Sequence, residues 1–284
     1  MKKFTRILSL LTLCAVLIAT FPTVALADDV LSGVCGENLT WTLDSGTLTI
    51  SGSGEMENYS SNPPWVKHSD SITNIVLPDG LLSIGSYAFH HCSKFTKITL
   101  PDSVVTIGKF AFERCTALAD IDMGSGVCTI EDGAFYLCSD LKDVTLPDSV
   151  VTIGKAAFNN CRQLETVHIG TGVSDIGDNA FLYCTSLTNV EIPANVEYIG
   201  QYAFGYSYQD GAGWAMEPNL KTEGFTITGV VGSAAESYAE SNGFAFVELV
   251  EPPSPADIVA EYVAVVSQLV STLRELLARS IPFR

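Results

Sequence analysis

The chain has 284 residues, of which 47% are hydrophobic and 17% are charged, and its formal net charge at pH 7 is −17. This hydrophobic share is enough for a buried core, which argues against a disordered chain. Nucleic-acid binding requires clustered Lys and Arg, but the sequence has 15 of these against 32 Asp and Glu. The composition therefore indicates a globular, acidic protein that does not bind nucleic acid.

The first predicted element is a secretory signal peptide over residues 1–27. Basic residues precede an apolar run, and the small residues Ala25 and Ala27 provide a cleavage site. Cleavage near Ala27 removes three basic side chains and no acidic one, which changes the net charge from −17 to −20. The predicted location is extracellular, either secreted or at the cell surface.

Two segments of alternating apolar and polar residues follow, over residues 39–43 and 47–51. They flank the turn residues 44–46, and this arrangement predicts a β-hairpin. We assign residues 28–71 to an N-terminal β cap, in which residues 61–70 form a loop with two prolines.

A repeat with a period of 23 residues covers residues 72–207 in six units. Each unit reads L-x-x-I-x-L-P-x-x-V-x-x-I-G-x-x-A-F-x-x-C-x-x, and such self-similarity is typical of a solenoid. The recurring aromatic and sulfur positions are Phe89, Phe112, Phe135, Phe158, Phe181 and Phe204, and Cys92, Cys115, Cys138, Cys161 and Cys184.

The pattern predicts a short strand at the start of each unit and a turn or short helix at its end. In the unit that begins at Leu141, apolar residues alternate up to Leu146, and Pro147 ends the strand because it has no amide hydrogen. Gly154 then permits a tight turn before the Ala-Phe-x-x-Cys segment. One coil cannot bury its own apolar edge, so stability depends on stacking. The predicted fold is an α/β repeat solenoid.

These residues resemble the BspA-like subclass of bacterial leucine-rich repeats, closely from Ile72 to Phe204. The resemblance implies a right-handed leucine-rich-repeat stack of 23-residue coils. It also implies an extracellular or cell-surface protein that binds proteins, cells or matrix and has no catalytic activity. The local departures from the pattern are Gly124, Glu131, Gly170 and Ser207.

The repeat is interrupted after Leu187, because the next suitable leucine is Leu220, ten residues later than the period requires. Residues 208–250 are predicted to form an insertion loop and a C-terminal cap. Within the cap, residues 233–242 indicate a short helix that Gly243 ends, followed by a last strand.

A Pro-rich linker over residues 251–256 leads to a separate amphipathic helix over residues 257–279. Its apolar residues alternate steps of three and four, which is the spacing of a coiled-coil seam. The candidate oligomerisation residues are Val259, Tyr262, Val266, Leu269, Leu273 and Leu276. Three interpretations stay open, namely association with a second copy, docking on the end of the solenoid, and binding of another partner or a membrane surface. Charged residues in the segment argue against a transmembrane span.

The cysteines are predicted to be buried thiols that pack as small hydrophobic side chains. Signal-peptide cleavage leaves seven, so they cannot all pair within one chain. The five repeat cysteines stack with parallel Cβ directions, which is poor geometry for a disulfide. No Cys-x₂₋₄-Cys pair exists for zinc, and we predict no metal or other cofactor. A disulfide between Cys35 and Cys128 stays open.

The outward strand positions form the first candidate binding surface. They make two columns, Asn74, Lys97, Asp120, Asp143, Thr166 and Asn189, and Val76, Thr99, Asp122, Thr145, His168 and Glu191. The candidate contact residues are Lys97, Asp120, Asp122, Asp143, His168 and Glu191. The three aspartates place like charges together, which is unfavourable unless Lys97 or a ligand offsets them. The alternative interpretation is a solvated edge on an acidic protein.

The aromatic residues Tyr206, Tyr208 and Trp214 near the insertion form the second candidate surface. They could contact a protein or glycan, or they could fold back and cover the end of the solenoid. No catalytic motif is present in the sequence. The leading hypothesis is a non-enzymatic binding or adhesion module that recognises a protein or glycan. The alternative is a structural surface subunit that assembles through the C-terminal helix.

Overall fold

The computed structural model describes residues 31–207, 220–249 and 255–280. The predicted signal peptide lies outside these residues. The chain divides into two compact units, Met1–Val247 and Glu248–Arg284. The first unit is a solenoid of about eight coils with a spacing of 23 residues, and the second contains the C-terminal helix.

The structure contains nineteen strands, two α-helices and one 3₁₀ helix in the described residues. The strands are β1 (Leu31–Gly36), β2 (Leu39–Asp44), β3 (Thr47–Glu55), β4 (Asn74–Val76), β5 (Gly80–Ile84), β6 (Lys97–Thr99), β7 (Thr106–Ile107), β8 (Asp120–Asp122), β9 (Thr129–Ile130), β10 (Asp143–Thr145), β11 (Thr152–Ile153), β12 (Thr166–His168), β13 (Asp175–Ile176), β14 (Asn189–Glu191), β15 (Tyr198–Ile199), β16 (Tyr206–Ser207), β17 (Leu220–Lys221), β18 (Thr226–Gly229) and β19 (Ala245–Glu248). The 3₁₀ helix is Val66–Ser71, and the α-helices are α1 (Ala234–Asn242) and α2 (Pro255–Ser280).

Each coil contributes two short strands to two parallel stacks. The predicted three-residue strands form the front stack, which comprises β4, β6, β8, β10, β12, β14 and β18. A second stack, which the sequence analysis did not predict, comprises β5, β7, β9, β11, β13 and β15. Both stacks keep the repeat register, so that Val144 lies beside Val167 and Ile153 beside Ile176. Parallel pairing in register therefore holds the coils together.

The core between the stacks contains a ladder of phenylalanine rings. Phe135 and Phe158 have ring centroids 5.0 Å apart and are stacked almost parallel, with an interplanar angle of 7°. The same stacking continues from Phe89 to Phe204, and all six rings are buried. Offset stacking adds to the free energy of burying these large side chains.

The Ala-Phe-x-x-Cys segments form successive turns instead of the helical turn that the sequence analysis allowed. Ala156 and Asn160 have φ values of 55° and 68°, and a left-handed conformation at these two positions interrupts any helix. The amide of Phe158 donates to the carbonyl oxygen of Ala180 in the next coil, at 2.8 Å. Contacts between coils, more than local helix propensity, therefore determine this backbone.

Gly154 allows the backbones of two adjacent coils to approach each other closely. A Cβ atom at this position would lie 2.6 Å from the backbone nitrogen of Asp132 in the preceding coil. Any side chain would force the two backbones apart, which explains why the repeat places glycine here.

The N-terminal cap contains the predicted hairpin, in which β2 pairs with β3 through Asp44 and Thr47. An additional strand, β1, extends it, and a 3₁₀ helix occupies part of the predicted loop. β3 pairs in parallel with both β4 and β5, so the hairpin continues into both stacks. Next to the 3₁₀ helix, Trp65 is fully buried, and its indole N–H donates to the carbonyl oxygen of Ala88 at 2.8 Å.

The C-terminal cap resumes the repeat later than the sequence analysis expected. Asn189 pairs with Thr226, 37 residues further on, so this spacing exceeds the period of 23 by fourteen residues. Leu220, which was expected to restart the repeat, is exposed, and Phe225 is buried. The predicted short helix is confirmed as α1, which ends at Gly243 with a φ of 64°.

Candidate functional site

The front stack presents two exposed columns of side chains on either side of a buried one. In β8, Asp120 and Asp122 are exposed and Ile121 is buried between them. The same alternation recurs in the other front strands of the repeat, except that Thr166 is half-buried. The structure therefore places the predicted contact residues of the front stack on one surface.

An ion pair connects two adjacent coils at the acidic cluster, which consists of Asp120, Asp122 and Asp143. The Lys97 ammonium lies 2.7 Å from a carboxylate oxygen of Asp120. This hydrogen bond and the negative charge of Asp120 raise the pKa of Lys97 above its ordinary value. The Asp122 carboxylate accepts a hydrogen bond from the Gly124 amide at 3.1 Å. One lysine thus compensates part of the charge of three exposed carboxylates.

The ladder of the front stack is interrupted at this cluster. β6 pairs with β8, and β10 begins a separate sheet with β12, β14, β18 and β19. Within the described residues no ladder joins β8 to β10, so Asp120 and Asp143 stand on opposite sides of this interruption.

His168 and Glu191 lie side by side on the same face. His168 pairs in register with Glu191 on one side and with Thr145 on the other. Both His168 and Glu191 are exposed, as the strand pattern predicted. They extend the polar surface along the front stack beyond Asp143.

Tyr206, one of the candidate contact residues, is buried by the C-terminal cap. It is 9% exposed, and its hydroxyl group donates to the side-chain oxygen of Asn242 in α1 at 2.8 Å. Its ring also packs edge-on against Phe244. The ring is buried and its hydroxyl group has a hydrogen-bond partner. Tyr206 therefore fits the alternative interpretation, in which the aromatic residues cover the end of the solenoid. Tyr208 and Trp214 lie outside the described residues.

The cysteine thiols of the described residues are free, and most of them are buried. The seven described cysteines are free, and Cys128 alone among them is partly exposed. Burial raises the pKa of Cys92 and Cys184 to about 12, which keeps both thiols protonated at neutral pH. In the described ranges, no group of three His, Cys, Asp or Glu side chains could hold a metal ion.

The second stack carries an exposed apolar column that the sequence analysis missed. Its members are Leu82, Val105 and Val151, and the half-buried Cys128 lies between the two valines. The signal was present in the sequence, because these residues recur with the period of 23. Their exposure could not be predicted, because a strand of two residues such as Thr106–Ile107 is too short to show alternation.

The C-terminal helix α2 exposes its predicted seam. The seam residues Val259, Tyr262, Val266, Leu269, Leu273 and Leu276 are 46–74% exposed. In the parts of the chain that the structure describes, no helix combines the length and apolar character that a membrane crossing requires.

These features define a leucine-rich repeat solenoid. The family described as BspA type Leucine rich repeat region matches residues 66–187 and 117–209, with six copies. The chain belongs to this BspA-type leucine-rich repeat family. A search of curated proteins finds no match.

Solved structures of bacterial leucine-rich repeat proteins are similar to this chain. A leucine-rich repeat protein from Bacteroides ovatus is 22% identical, with a TM-score of 0.52, over 72% of this chain and 55% of that one. A leucine rich cell surface protein from Faecalibacterium prausnitzii is 27% identical, with a TM-score of 0.49, over 63% and 52%. The chain spans about half the length of these two proteins.

Proposed function

We propose that the protein is a secreted or cell-surface binding module that recognises a partner through the front stack. The observation that supports this proposal most directly is the pair of exposed columns on a rigid, regular scaffold. Binding surfaces built on a fixed scaffold lose little conformational entropy when a partner docks. The leader-like residues 1–27 and the BspA-type family support an extracellular location.

The charge of this surface indicates a partner with basic groups. Asp120, Asp122 and Asp143 are exposed, and Lys97 forms the ion pair that compensates part of their charge. Like charges in adjacent strands cost stability, and a basic partner would offset that cost on binding. His168 and Glu191 extend the same contact surface.

The test compares the mature chain with a variant in which Asp120, Asp122 and Asp143 are changed to Asn. Both are labelled and titrated onto extracts of cell-surface proteins at several salt concentrations. The triple variant should bind more weakly and with a flatter salt dependence, because fewer charge pairs form. Equal affinity and an equal salt slope would contradict the proposal.

A matched control separates this surface from the overall negative charge. Glu37, Asp44 and Glu55 are exposed acidic residues of the N-terminal cap, and their change to amides removes the same charge. The control variant should bind as the natural chain does, whereas an equal loss in both variants would indicate a nonspecific charge effect. Protease or periodate treatment of the extract then distinguishes a protein partner from a glycan.

The C-terminal helix supports a second function, assembly into an oligomeric surface subunit. α2 has 26 residues, and its seam side chains are exposed at coiled-coil spacing. An apolar face of this size is unfavourable in water, and a second copy of the same helix fits its heptad repeat. In this proposal the surface subunit assembles through α2.

Light scattering of the mature chain with and without residues 252–284 tests the assembly. The intact chain should be oligomeric and the truncated chain monomeric. Leu269→Asp should also give a monomer, but Ser271→Asp should not, because Ser271 lies away from the seam. A monomer in both chains would rule out assembly, and a truncated chain that unfolds would favour docking of α2 on the solenoid.

A further inference from the structure

The second stack ends in a strand whose outward carbonyl groups accept no hydrogen bond from the residues that the structure describes. Inside the stack, the Cys128 carbonyl oxygen accepts from the Val151 amide at 2.8 Å, and the Ile130 carbonyl oxygen accepts from the Gly154 amide at 2.7 Å. At this end of the stack the equivalent carbonyl groups belong to Ile199 of β15 and to Glu197, which directly precedes the strand. Neither carbonyl accepts a hydrogen bond from a described residue, and β15 is the terminal strand of its sheet.

The C-terminal cap covers the rest of this end of the solenoid. β18 continues the front stack beside β14, and Tyr238 of α1 covers the last phenylalanine. The Tyr238 hydroxyl group accepts from the Phe204 amide at 2.9 Å and donates to the Phe204 carbonyl oxygen at 3.0 Å. The cap therefore covers the end of the front stack and of the phenylalanine ladder. The carbonyl groups at the edge of the second stack have no hydrogen-bond partner among the described residues.

A cleft of about 670 Å³ is lined by residues of the last coil around β15 and by residues of α1. Gln201 lines it on the side of the last coil, and Ser237 and Ser241 line it on the side of α1. Its volume lies in the range of known ligand sites. The cleft thus gives access to the unpaired carbonyl groups.

We propose that this cleft binds an extended peptide segment of a partner protein, which adds a parallel strand beside β15. Its amide groups would donate to the carbonyl oxygens of Glu197 and Ile199, as the next coil does elsewhere in the stack. Unpaired strand edges are templates for such β-augmentation. This site is separate from the front stack, so the proposal does not depend on the proposed function.

The charge of the cleft favours a basic side chain on that peptide. Glu197 is the one charged residue among the described lining residues. Asp175, which is also exposed, pairs with Tyr198 and belongs to the neighbouring coil. The peptide residue that stacks next to Glu197 would therefore be Lys or Arg, because opposite charges in adjacent strands attract.

The probe is a labelled synthetic peptide with the sequence of residues 149–155, Ser-Val-Val-Thr-Ile-Gly-Lys. In the solenoid this segment donates the Val151 and Gly154 amides to the preceding coil, in the register that β15 leaves open. A second peptide carries N-methyl groups on these two amide nitrogens, which removes both donors. A third peptide has Lys at the position of Val151, which is the residue that would stack next to Glu197.

Fluorescence anisotropy with the mature chain gives the affinities. The first peptide should bind saturably, the N-methylated peptide at least about tenfold more weakly, and the peptide with the added Lys more tightly. Ser237→Trp should fill the cleft and abolish binding. Glu240→Trp is the matched control, because Glu240 is exposed on the same helix but does not line the cleft.

Three results would overturn the proposal. They are no binding at millimolar peptide, equal binding of the N-methylated peptide, and unchanged binding to Ser237→Trp when circular dichroism shows that it is folded. Glu197→Lys should reverse the preference for the peptide with the added Lys. The Asp120, Asp122 and Asp143 variant should bind the peptides normally, so a failure here is distinguishable from a failure of the proposed function.

Discussion

The thiol of Cys138 donates a hydrogen bond to the carbonyl oxygen of Phe112, with 3.1 Å between sulfur and oxygen. The acceptor lies 26 residues earlier, in the preceding coil, and Cys115, Cys161 and Cys184 each make the same contact with their own preceding coil. The cysteine of the repeat thus packs as a small apolar side chain and also satisfies a buried carbonyl group.

Cys138→Ser should lower the free energy of unfolding by about 1–3 kcal/mol, because a more polar group is buried in the space of a thiol. Urea denaturation measures the change.

In the natural chain, thiol labelling should reach Cys128 without denaturant and the repeat cysteines only after unfolding. Rapid native labelling of several thiols, or a mass that reveals disulfides, would contradict this prediction.

The phenylalanine ladder should be the largest single contribution to stability in each coil. Phe158→Ala should cost about 3–5 kcal/mol, because it removes a buried ring that stacks on both neighbours. Val151→Ala, at an exposed position of the same coil, should change stability by less than about 0.5 kcal/mol. Thermal and urea unfolding of the two variants gives the comparison, and similar losses in both would refute it.

Ala156→Gly should stabilise the protein by about 1 kcal/mol. Ala156 has a φ of 55°, a conformation that glycine adopts without steric cost, and the equivalent residue of the preceding coil is Gly133. Ala157→Gly is the control, because Ala157 is buried and its loss of a methyl group should be destabilising. The urea midpoints of the two variants should move in opposite directions, and a decrease for Ala156→Gly would show that its conformation is not strained.

Asp102 and Asp148 should contribute stability at neutral pH that is lost in acid. The amide and then the hydroxyl group of Ser125 hydrogen-bond to Asp102 and lower its pKa below the ordinary 3.8, and Thr171 does the same for Asp148. A lowered folded-state pKa adds stability that is complete above the unfolded value and is lost as the pH falls through the folded value.

The Asp102→Ala and Asp148→Ala double variant should therefore be less stable than the natural chain at pH 7, and the difference should shrink below about pH 4. Asp79 occupies the equivalent turn of an earlier coil, but its carboxylate accepts no hydrogen bond from the described residues. Asp79→Ala is the control, and in urea titrations at pH 7 it should lower the free energy of unfolding less than the double variant does. A difference that stays constant down to pH 2 would disprove the role of the two carboxylates.

The sequence predicted the features that depend on the repeat itself. The exposed positions of Asp120 and Asp122 followed from alternation about Ile121, and the burial of Cys138 followed from its place in the period. The second stack was missed because a two-residue strand such as Thr152–Ile153 is too short to show alternation. The left-handed conformation of Ala156 was missed because contacts with the next coil impose it. The point at which the repeat resumes was missed because the expected residue, Leu220, is exposed and the pairing restarts only at Thr226.

The pairing of β3 with both β4 and β5 has a consequence for the order of folding. The first hairpin presents a template for each stack at once, so each later coil can add to an edge that already exists. Every addition inside the repeat closes a loop of the same length, 23 residues, and so has a similar entropic cost. A chain exported from its N-terminus would therefore assemble coil by coil as it emerges, without waiting for its C-terminal end.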